Sequence, residues 1–540
     1  MVLFLEIWLP LSACTLGTLL YKSLTDVSHT GLILAVLGVE LGSLLLWAFY
    51  WMILYPNFFS PFRHLPTPPG RRWLYGNRKE FSPNYAWQGI DAVMKTVPNN
   101  GLIRFYEALS REVLLVTSVD AIKEMTSGKP YDFGHPKQVK YMMSRITSSN
   151  FNFLSEHGHK LFRKHLRPAF TATHTRKLMP AMWSKFEEMV KLIEVELRDN
   201  SDAVIDTREY IRRVMWDISG VVMIGYDFQT LDRRDGGMGD QFAKVLSEFS
   251  GPAWVRMIMH YVDVRPLLSL LNPLFMRSSL GKSLNYIRFT LRQIITEKEV
   301  KFQKAGSKEA QDLDITSASV ASGIFPTSEL IDNGMLFMTA GPNSSGTAME
   351  WAIYELSRKS EIQKRLRQEI NECLKSAPFS LEPDALIGQL QNLPYLSAVV
   401  NETIRCYPFI PLSARAAEKD TTLLGERIPK GTIFLLPVDI LNHDKKLWGP
   451  DGDEFNPDRW LGDPLTGGAT SNYAMLSFGA GPNTCIGQNT ARAMLACFLA
   501  AFFQRFDIQL ANPDKAALLR PALFKRSEEG MMAKLSIVEV

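Results

Sequence analysis

The chain has 540 residues, 46% hydrophobic and 21% charged, with a net charge of +4. This composition suits a globular enzyme with a sizeable core, and so small a charge excludes the strongly basic surface by which nucleic acid is bound. Five scattered cysteines, Cys14, Cys373, Cys406, Cys485 and Cys497, contain no Cys-x-x-Cys pair, so neither a disulfide framework nor a zinc site is indicated and a reducing compartment is expected.

The first sixty residues differ from the rest. Residues 2–21 are apolar in character with Glu6 as their one charge and Pro10 as a breaker, and residues 31–55 are interrupted only by Glu40. A membrane span takes about 20 predominantly apolar residues, so the second segment qualifies well and the first marginally. No basic stretch precedes the first segment and no clear small-x-small cleavage site follows it, so a retained anchor is expected. One span or two remains open at this point. Arg63, Arg71, Arg72, Arg78 and Lys79 gather after the second segment, whereas residues 22–29 are nearly neutral. The positive-inside bias then places the large C-terminal part in the cytosol.

Pro61, Pro66, Pro68, Pro69 and Gly70 rule out regular helix or central strand and read as a stiff hinge. The expected organisation is an anchor over residues 1–55, a hinge over 56–70 and one domain over 71–540. That domain reads as mainly helical with small sheets. Helical periodicity marks residues 181–200, 327–358, 361–374 and 394–406, while 113–118 and 432–437 have strand character.

Several polar residues stand out along this pattern. His159 and Arg163 lie four apart on a predicted helix and so share a face. In the helix over 327–358, Gly341-Pro342 predicts a kink, because proline lacks the N–H donor and crowds the carbonyl four residues back; Asn343, Ser344 and Ser345 follow it. Glu402 and Arg405, three apart, face the same way on a helix that must stop before Pro408. Arg415 comes ten residues after Arg405, and Arg459 sits in a proline-braced aromatic turn, Phe455-Asn456-Pro457-Asp458-Arg459-Trp460. A carboxylate gripped by two guanidinium groups would make a rigid, charge-assisted cluster.

The loop Phe478-Gly479-Ala480-Gly481-Pro482-Asn483-Thr484-Cys485-Ile486-Gly487 places Cys485 in a glycine-rich turn directly before an apolar helical run over 488–502. Gly479, Gly481 and Gly487 suit tight turning or close approach of a bulky ligand. The positive end of the following helix dipole is expected to favour thiolate. A lone cysteine is ordinarily packing, yet this loop resembles the heme-binding loop of the cytochromes P450. In the same order along the chain, Glu402, Arg405 and Arg459 resemble that family's Glu-x-x-Arg helix and following arginine turn.

The resemblance implies a P450 fold, a helical prism with small β-sheets, preceded by the membrane segment or segments, most like fungal members. It implies heme b ligated by Cys485, with Phe478, Gly479 and Gly487 shaping the loop. His159, Arg163 and Arg415 match the residues that hold propionates, and Glu402, Arg405 and Arg459 a structural triad. The loop usually has an arginine two residues before the cysteine; Asn483 stands there instead, so weaker anchoring at that point is expected. Ala340-Gly341-Pro342-Asn343-Ser344-Ser345 aligns with the oxygen-activation groove, with Asn343 in place of the carboxylate and Ser344 in place of threonine. An amide cannot relay a proton as a carboxylate can, so delivery would fall to Ser344, Ser345, water or a substrate hydroxyl. The implied reaction inserts one atom of dioxygen into a lipophilic small molecule, such as a terpenoid or polyketide intermediate of secondary metabolism. A separate NADPH–cytochrome P450 reductase would supply electrons, at the cytosolic face of the endoplasmic reticulum. The alternatives are a rearrangement, dehydration or coupling without net oxygen insertion, and a non-catalytic heme protein. Residues 137–153, 251–276 and 409–413 are the expected pocket walls.

Overall fold

Apolar spacing of three and four residues becomes buried helix faces throughout a computed structural model of the chain, which describes residues 17, 29–73, 76–77, 88–147, 155–200, 202–232, 237–248, 279–309, 314–375, 390, 392–517 and 524–538. Outside the described residues lie the first apolar segment apart from residue 17, Arg78, Lys79 and the expected pocket-wall stretches 148–153 and 251–276.

In chain order, the helices that position the site are α1 (His29–Phe49), α2 (Lys137–Ile146), α3 (Glu156–Leu166), α4 (Ala172–Asp199), α5 (Thr207–Ser219), α6 (Ser279–Glu309), α7 (Thr327–Arg358), α8 (Ser360–Lys375), α9 (Pro394–Cys406) and α10 (Gln488–Arg505). Helix α4 shows the rule. Leu178, Met182, Phe186, Met189, Ile193 and Leu197 recur on one face and are all buried, each contributing about 1.5–3 kcal/mol of burial. They face α10, where Phe186 meets Phe498 edge to face with ring centroids 5.7 Å apart. The helix starts at Ala172, earlier than the periodicity predicts, because the Thr171 hydroxyl accepts the His174 N–H and caps it; Pro180 lies inside the helix rather than before it. Helix α7 runs unbroken through Pro342. Gly346 lets α5 approach closely, since a Cβ there would stand 3.4 Å from Ile211 and 3.5 Å from Met215.

The strands are β1 (Leu102–Tyr106), β2 (Glu112–Val116), β3 (Phe133–Gly134), β4 (Val204–Asp206), β5 (Ser413–Ala417), β6 (Thr421–Leu423), β7 (Glu426–Ile428), β8 (Ile433–Leu436), β9 (Phe506–Leu510) and β10 (Met532–Ile537). The largest sheet has the order β1-β2-β8-β5-β3, with β2 and β8 parallel and its other pairs antiparallel. A three-stranded sheet β4-β10-β9 and the hairpin β6-β7 complete the β content. Leu424 and Gly425 both take positive φ, 49° and 81°, in the hairpin's two-residue turn, as the twist of a tight hairpin requires.

Among the described residues one helix, Leu37–Phe59, is long and apolar enough to cross a membrane. It joins α1 to a wider π-helical turn, Tyr50–Phe59. Side chains of the globular body donate to two carbonyls of this helix, one of them in its last turn, where carbonyls have no partner within the helix. Arg71 Nη2 donates to the Met52 carbonyl at 2.8 Å, and Arg104 Nη1 donates to the Pro56 carbonyl at 3.2 Å. Ser60 donates to Glu112 Oε2 at 2.7 Å, and Arg104 pairs with Glu112 Oε1 at 3.3 Å. Residues 60–71 are therefore knitted to β1 and β2. Arg104→Met should leave Glu112 buried without its cation, a loss of about 3 kcal/mol, and the full-length chain should show a thermal midpoint several degrees lower by circular dichroism.

Candidate heme-thiolate site

The Glu402 carboxylate on α9 is wholly enclosed by protein. Glu402 and Arg405 are both fully buried. Arg405 grips the carboxylate with two parallel bonds, Nε to Oε2 at 2.8 Å and Nη2 to Oε1 at 2.7 Å. Arg459 Nε adds a third to Oε1 at 3.1 Å. The Asn456 N–H and the Trp460 indole donate to the same carboxylate at 2.8 and 2.9 Å. What remains of the Arg405 fork goes to the carbonyls of Asn442, Gly452 and Glu454, at 2.6, 2.6 and 2.7 Å. Every strong donor here has an acceptor, the condition under which a buried ion pair is tolerated.

This cluster reaches the cysteine loop through Asn442. Its amide donates to the Arg405 carbonyl and to Ser477 Oγ, both at 2.8 Å, and its Oδ1 receives the Leu476 N–H at 2.9 Å. Ser477 in turn donates to the Ile404 carbonyl at 2.6 Å. The loop then turns on itself: Gly479 N–H donates to the Leu476 carbonyl at 2.8 Å and Cys485 N–H to the Phe478 carbonyl at 2.7 Å. Gly479 and Gly481 take φ of +72° and +67°, and a Cβ on Gly481 would lie 2.0 Å from the Thr126 carbonyl oxygen. Both must be glycine. Gly487 differs from these two in its backbone. Its φ of −84° is open to any residue, and it serves as the N-cap of α10 beside the ring of Phe170.

Among the described cysteines, Cys485 is exposed while Cys406 and Cys497 are buried and Cys373 is intermediate. The sulfur has accessible surface but dense protein on its other sides, and burial pushes its pKa up; the Gly487 N–H, Arg163 and Arg492 oppose that without cancelling it. The expected thiolate-favouring effect of the helix end is thus outweighed by desolvation. A cation at the sulfur is what would complete the ionisation.

Arg163 and Arg492 beside this loop, and Arg415 with its neighbour His135, have no carboxylate within ion-pair distance among the described residues, and the imidazole of His159 lies near His135. Arg163, on α3, donates to the Thr484 carbonyl at 2.8 Å. Arg492, on α10, donates to Asn401 Oδ1 at 3.1 Å and lies 4.8 Å from the centre of the Phe478 ring. Arg415, on β5, donates to the Ser413 hydroxyl at 3.2 Å and the Ala414 carbonyl at 3.0 Å, and burial lowers its pKa. His159 is buried, with Nδ1 3.3 Å from the Tyr131 hydroxyl. His135 is pushed down to about 3 by burial and by its neighbours Arg415, Lys140 and His159. Burial disfavours charge on both imidazoles while the arginines keep theirs, so the set is cationic and calls for an anion. An iron porphyrin brings an axial metal position and two carboxylates, so these residues fit it. Cys485 would hold the iron, and Arg163, Arg415, His159 and His135 the propionates.

The structure places the remaining sequence-predicted residues as follows. Asn483 donates to the Pro130 carbonyl at 3.2 Å, tying the loop to the segment that carries Tyr131 and His135. Helix α7 reaches the loop through Phe337, whose ring stands 5.7 Å from that of Phe170. Its polar trio is not gathered at one point. The Ser344 hydroxyl donates back to the Ala340 carbonyl at 2.8 Å, Ser345 is buried, and Asn343 Oδ1 accepts from Arg526 Nη2 at 2.8 Å. His135, Arg492 and Arg526 escape sequence reasoning. Only Arg492 carried a signal, standing on the exposed side of the helix that follows the cysteine.

One axial thiolate, with no second protein ligand required, is the ligation of heme-thiolate proteins. Comparison with known proteins narrows that class. The sequence model described as Cytochrome P450 matches residues 66–532. Cytochrome P450 monooxygenase FSL4 of Gibberella zeae is 37% identical over 530 residues, covering 94% of this chain and 93% of that protein. Cytochrome P450 monooxygenase sphH of Aspergillus fumigatus is 34% identical over 507 residues, 93% and 92% of the two chains. A third, FUM15 of Gibberella moniliformis, is 30% identical over 515 residues, 86% of each. The chain belongs to the cytochrome P450 family. It is a P450 monooxygenase, and membership implies a heme-thiolate cofactor, an organic substrate, dioxygen and an electron-transfer partner.

Cys485→Ser should abolish the red-shifted Soret band of the reduced, carbon monoxide-bound protein, read against wild type at equal protein concentration. Arg405→Met should strand Glu402 at a cost of about 3–5 kcal/mol and yield little soluble, heme-loaded protein, while Arg405→Lys, which keeps charge but not the fork, should fall between; heme content per polypeptide reads both.

Proposed function

We propose that this chain is a membrane-anchored, heme b-dependent monooxygenase that inserts one atom of dioxygen into a lipophilic small molecule of secondary metabolism, of terpenoid or polyketide type. NADPH–cytochrome P450 reductase is the proposed electron donor, and the cytosolic face of the endoplasmic reticulum the proposed location. The anchor is taken to end near residue 55, with a hinge over 56–70 and the catalytic domain over 71–540. The observation that carries the reading is the exposed Cys485 flanked by Arg163 and Arg492, neither of which has a carboxylate within ion-pair distance among the described residues. Bound heme supplies the centre at which dioxygen is reduced and oxygen is transferred.

The chain's own residues do the rest. Cys485 donates its sulfur, and the hydrogen-bonded path from Glu402 through Asn442 and Ser477 fixes where that sulfur stands. Arg163, Arg415, His135 and His159 orient the cofactor through its carboxylates. The Phe478 carbonyl accepts the Cys485 N–H, and its ring is covered by the Arg492 guanidinium. On the oxygen side Ser344 is the hydroxyl proposed to hold or pass a proton, with Ser345 beside it and Asn343 unable to do so. A lipophilic substrate is supported by the apolar surface at the base of the anchor, where Phe58, Phe59 and Trp73 are all exposed; a substrate partitioned into the bilayer would be concentrated there.

Microsomes from cells expressing the chain with its reductase, given labelled dioxygen, should yield a product carrying one labelled oxygen atom that is missing when NADPH is withheld. A product formed without label would instead place the enzyme among the heme-thiolate catalysts of rearrangement, dehydration or coupling. The chain should also stay with the membrane fraction through an alkaline carbonate wash, and a chain lacking residues 1–50 should be released from it.

A further inference from the structure

We infer that Arg526 is a positioning residue for the oxygen side of the site: it grips one face of α7 at Asn343 and Thr347 and so sets where Ser344 stands. This rests on the proposed role of Ser344. The hydrogen bonds from Arg526 to α7 among the described residues are three. Arg526 Nη2 donates to Asn343 Oδ1 at 2.8 Å and to the Asn343 carbonyl at 3.4 Å, and Arg526 Nε donates to Thr347 Oγ1 at 3.1 Å. The Thr347 hydroxyl itself donates a hydrogen bond to the Asn343 carbonyl at 2.8 Å. Residues 343 and 347 lie one turn apart and flank Ser344.

The grip continues along the helix. Glu350, the next residue on this face, pairs with Arg208 at 3.1 Å, and Arg208 donates to the Ser527 carbonyl at 2.9 Å. Trp351 donates to the Lys525 carbonyl at 2.8 Å, while Lys525 is itself held by Asp439 at 2.6 Å. Residues 525–527 thus form a strap along α7. The strap lies where the helix is weakest, since Pro342 has no N–H to give the carbonyl four residues back.

The amide at 343 suits this arrangement. A guanidinium only donates, so Asn343 must turn Oδ1 toward Arg526, and its Nδ2 is left buried without a hydrogen-bond partner. An aspartate at 343 would take up the charge of Arg526, which already acts on the buried Glu350 carboxylate. With asparagine, Arg526 holds the helix and remains a counter-charge to Glu350. Arginine does not lose its proton in proteins, so Arg526 positions and does not relay.

The test uses purified full-length holoprotein and dissolved dioxygen alone, so no substrate need be known. The rate at which dithionite-reduced protein is reoxidised is measured in light and heavy water for wild type, Arg526→Leu, Ser344→Ala and the double variant. Heme content and the carbon monoxide spectrum confirm that the thiolate side is intact. Arg526→Leu should change the rate on the order of fivefold, the equivalent of one lost hydrogen bond, and alter the solvent isotope effect. The change should vanish in the Ser344→Ala background. Should Arg526→Leu fail to retain heme, Arg526→Gln, which keeps one donor, carries the same comparison. An altered rate in Ser344→Ala beside an unaltered one in the Arg526 variant overturns the inference alone, as do strictly additive effects. No change in Ser344→Ala overturns the reading of Ser344, and the inference with it.

Discussion

A carboxylate with no exposed surface, held by two arginines, an indole and a backbone amide, is the constraint on which the rest of this structure turns. Glu402 cannot be solvated by water, so every one of its partners must be in place before the charge is tolerable. Those partners come from α9 and from residues 456–460, while the rest of the Arg405 fork is taken by the carbonyls of Asn442, Gly452 and Glu454. Satisfying one buried ion pair therefore fixes the placement of α9 against the 442–460 stretch. Asn442 and Ser477 then carry that placement to the strained turn before Cys485. The position of a single sulfur atom is thus set by an ion cluster that does not touch it.

The sulfur's electrostatics follow a similar division of labour. Desolvation disfavours charge on Cys485, and Arg163 and Arg492 only partly compensate. The protein leaves part of that ionisation to a metal, which must displace the thiol proton as it binds. The same holds for the carboxylate side of the cofactor, where burial of guanidinium charge carries a cost that an anion relieves.

Much of the thiolate side was legible in the sequence because its determinants are local or ordered. The glycines, the cysteine and the helix that follows are contiguous, and Glu402 and Arg405 share a helix face by spacing alone. Helices α7 and α9 have the bounds their periodicity predicts, since Pro326 and Pro394 mark their starts. The start of α4 was missed because a threonine cap outweighs an internal proline. His135 was invisible for a different reason. It follows a two-residue strand, and its importance arises only when β3 pairs with β5 and brings it beside Arg415. Arg526 lies in an irregular stretch between β9 and β10, where no period exists to read. Gly487 differs from the two glycines before it: its backbone is ordinary, so of the two expected reasons for a glycine there only close approach of a bulky ligand remains.

The hydrogen bonds from Arg71 and Arg104 to the carbonyls of Met52 and Pro56 give the apolar helix and the large sheet a common frame. A chain of single bonds between two bodies would leave each free to swivel, and most of that freedom is removed here. The helix is in this sense a lever arm rather than a tether. Whatever tilt it takes, β1 and β2 take with it, and the direction in which the cysteine loop faces becomes a property of the whole chain, set at one end and expressed at the other.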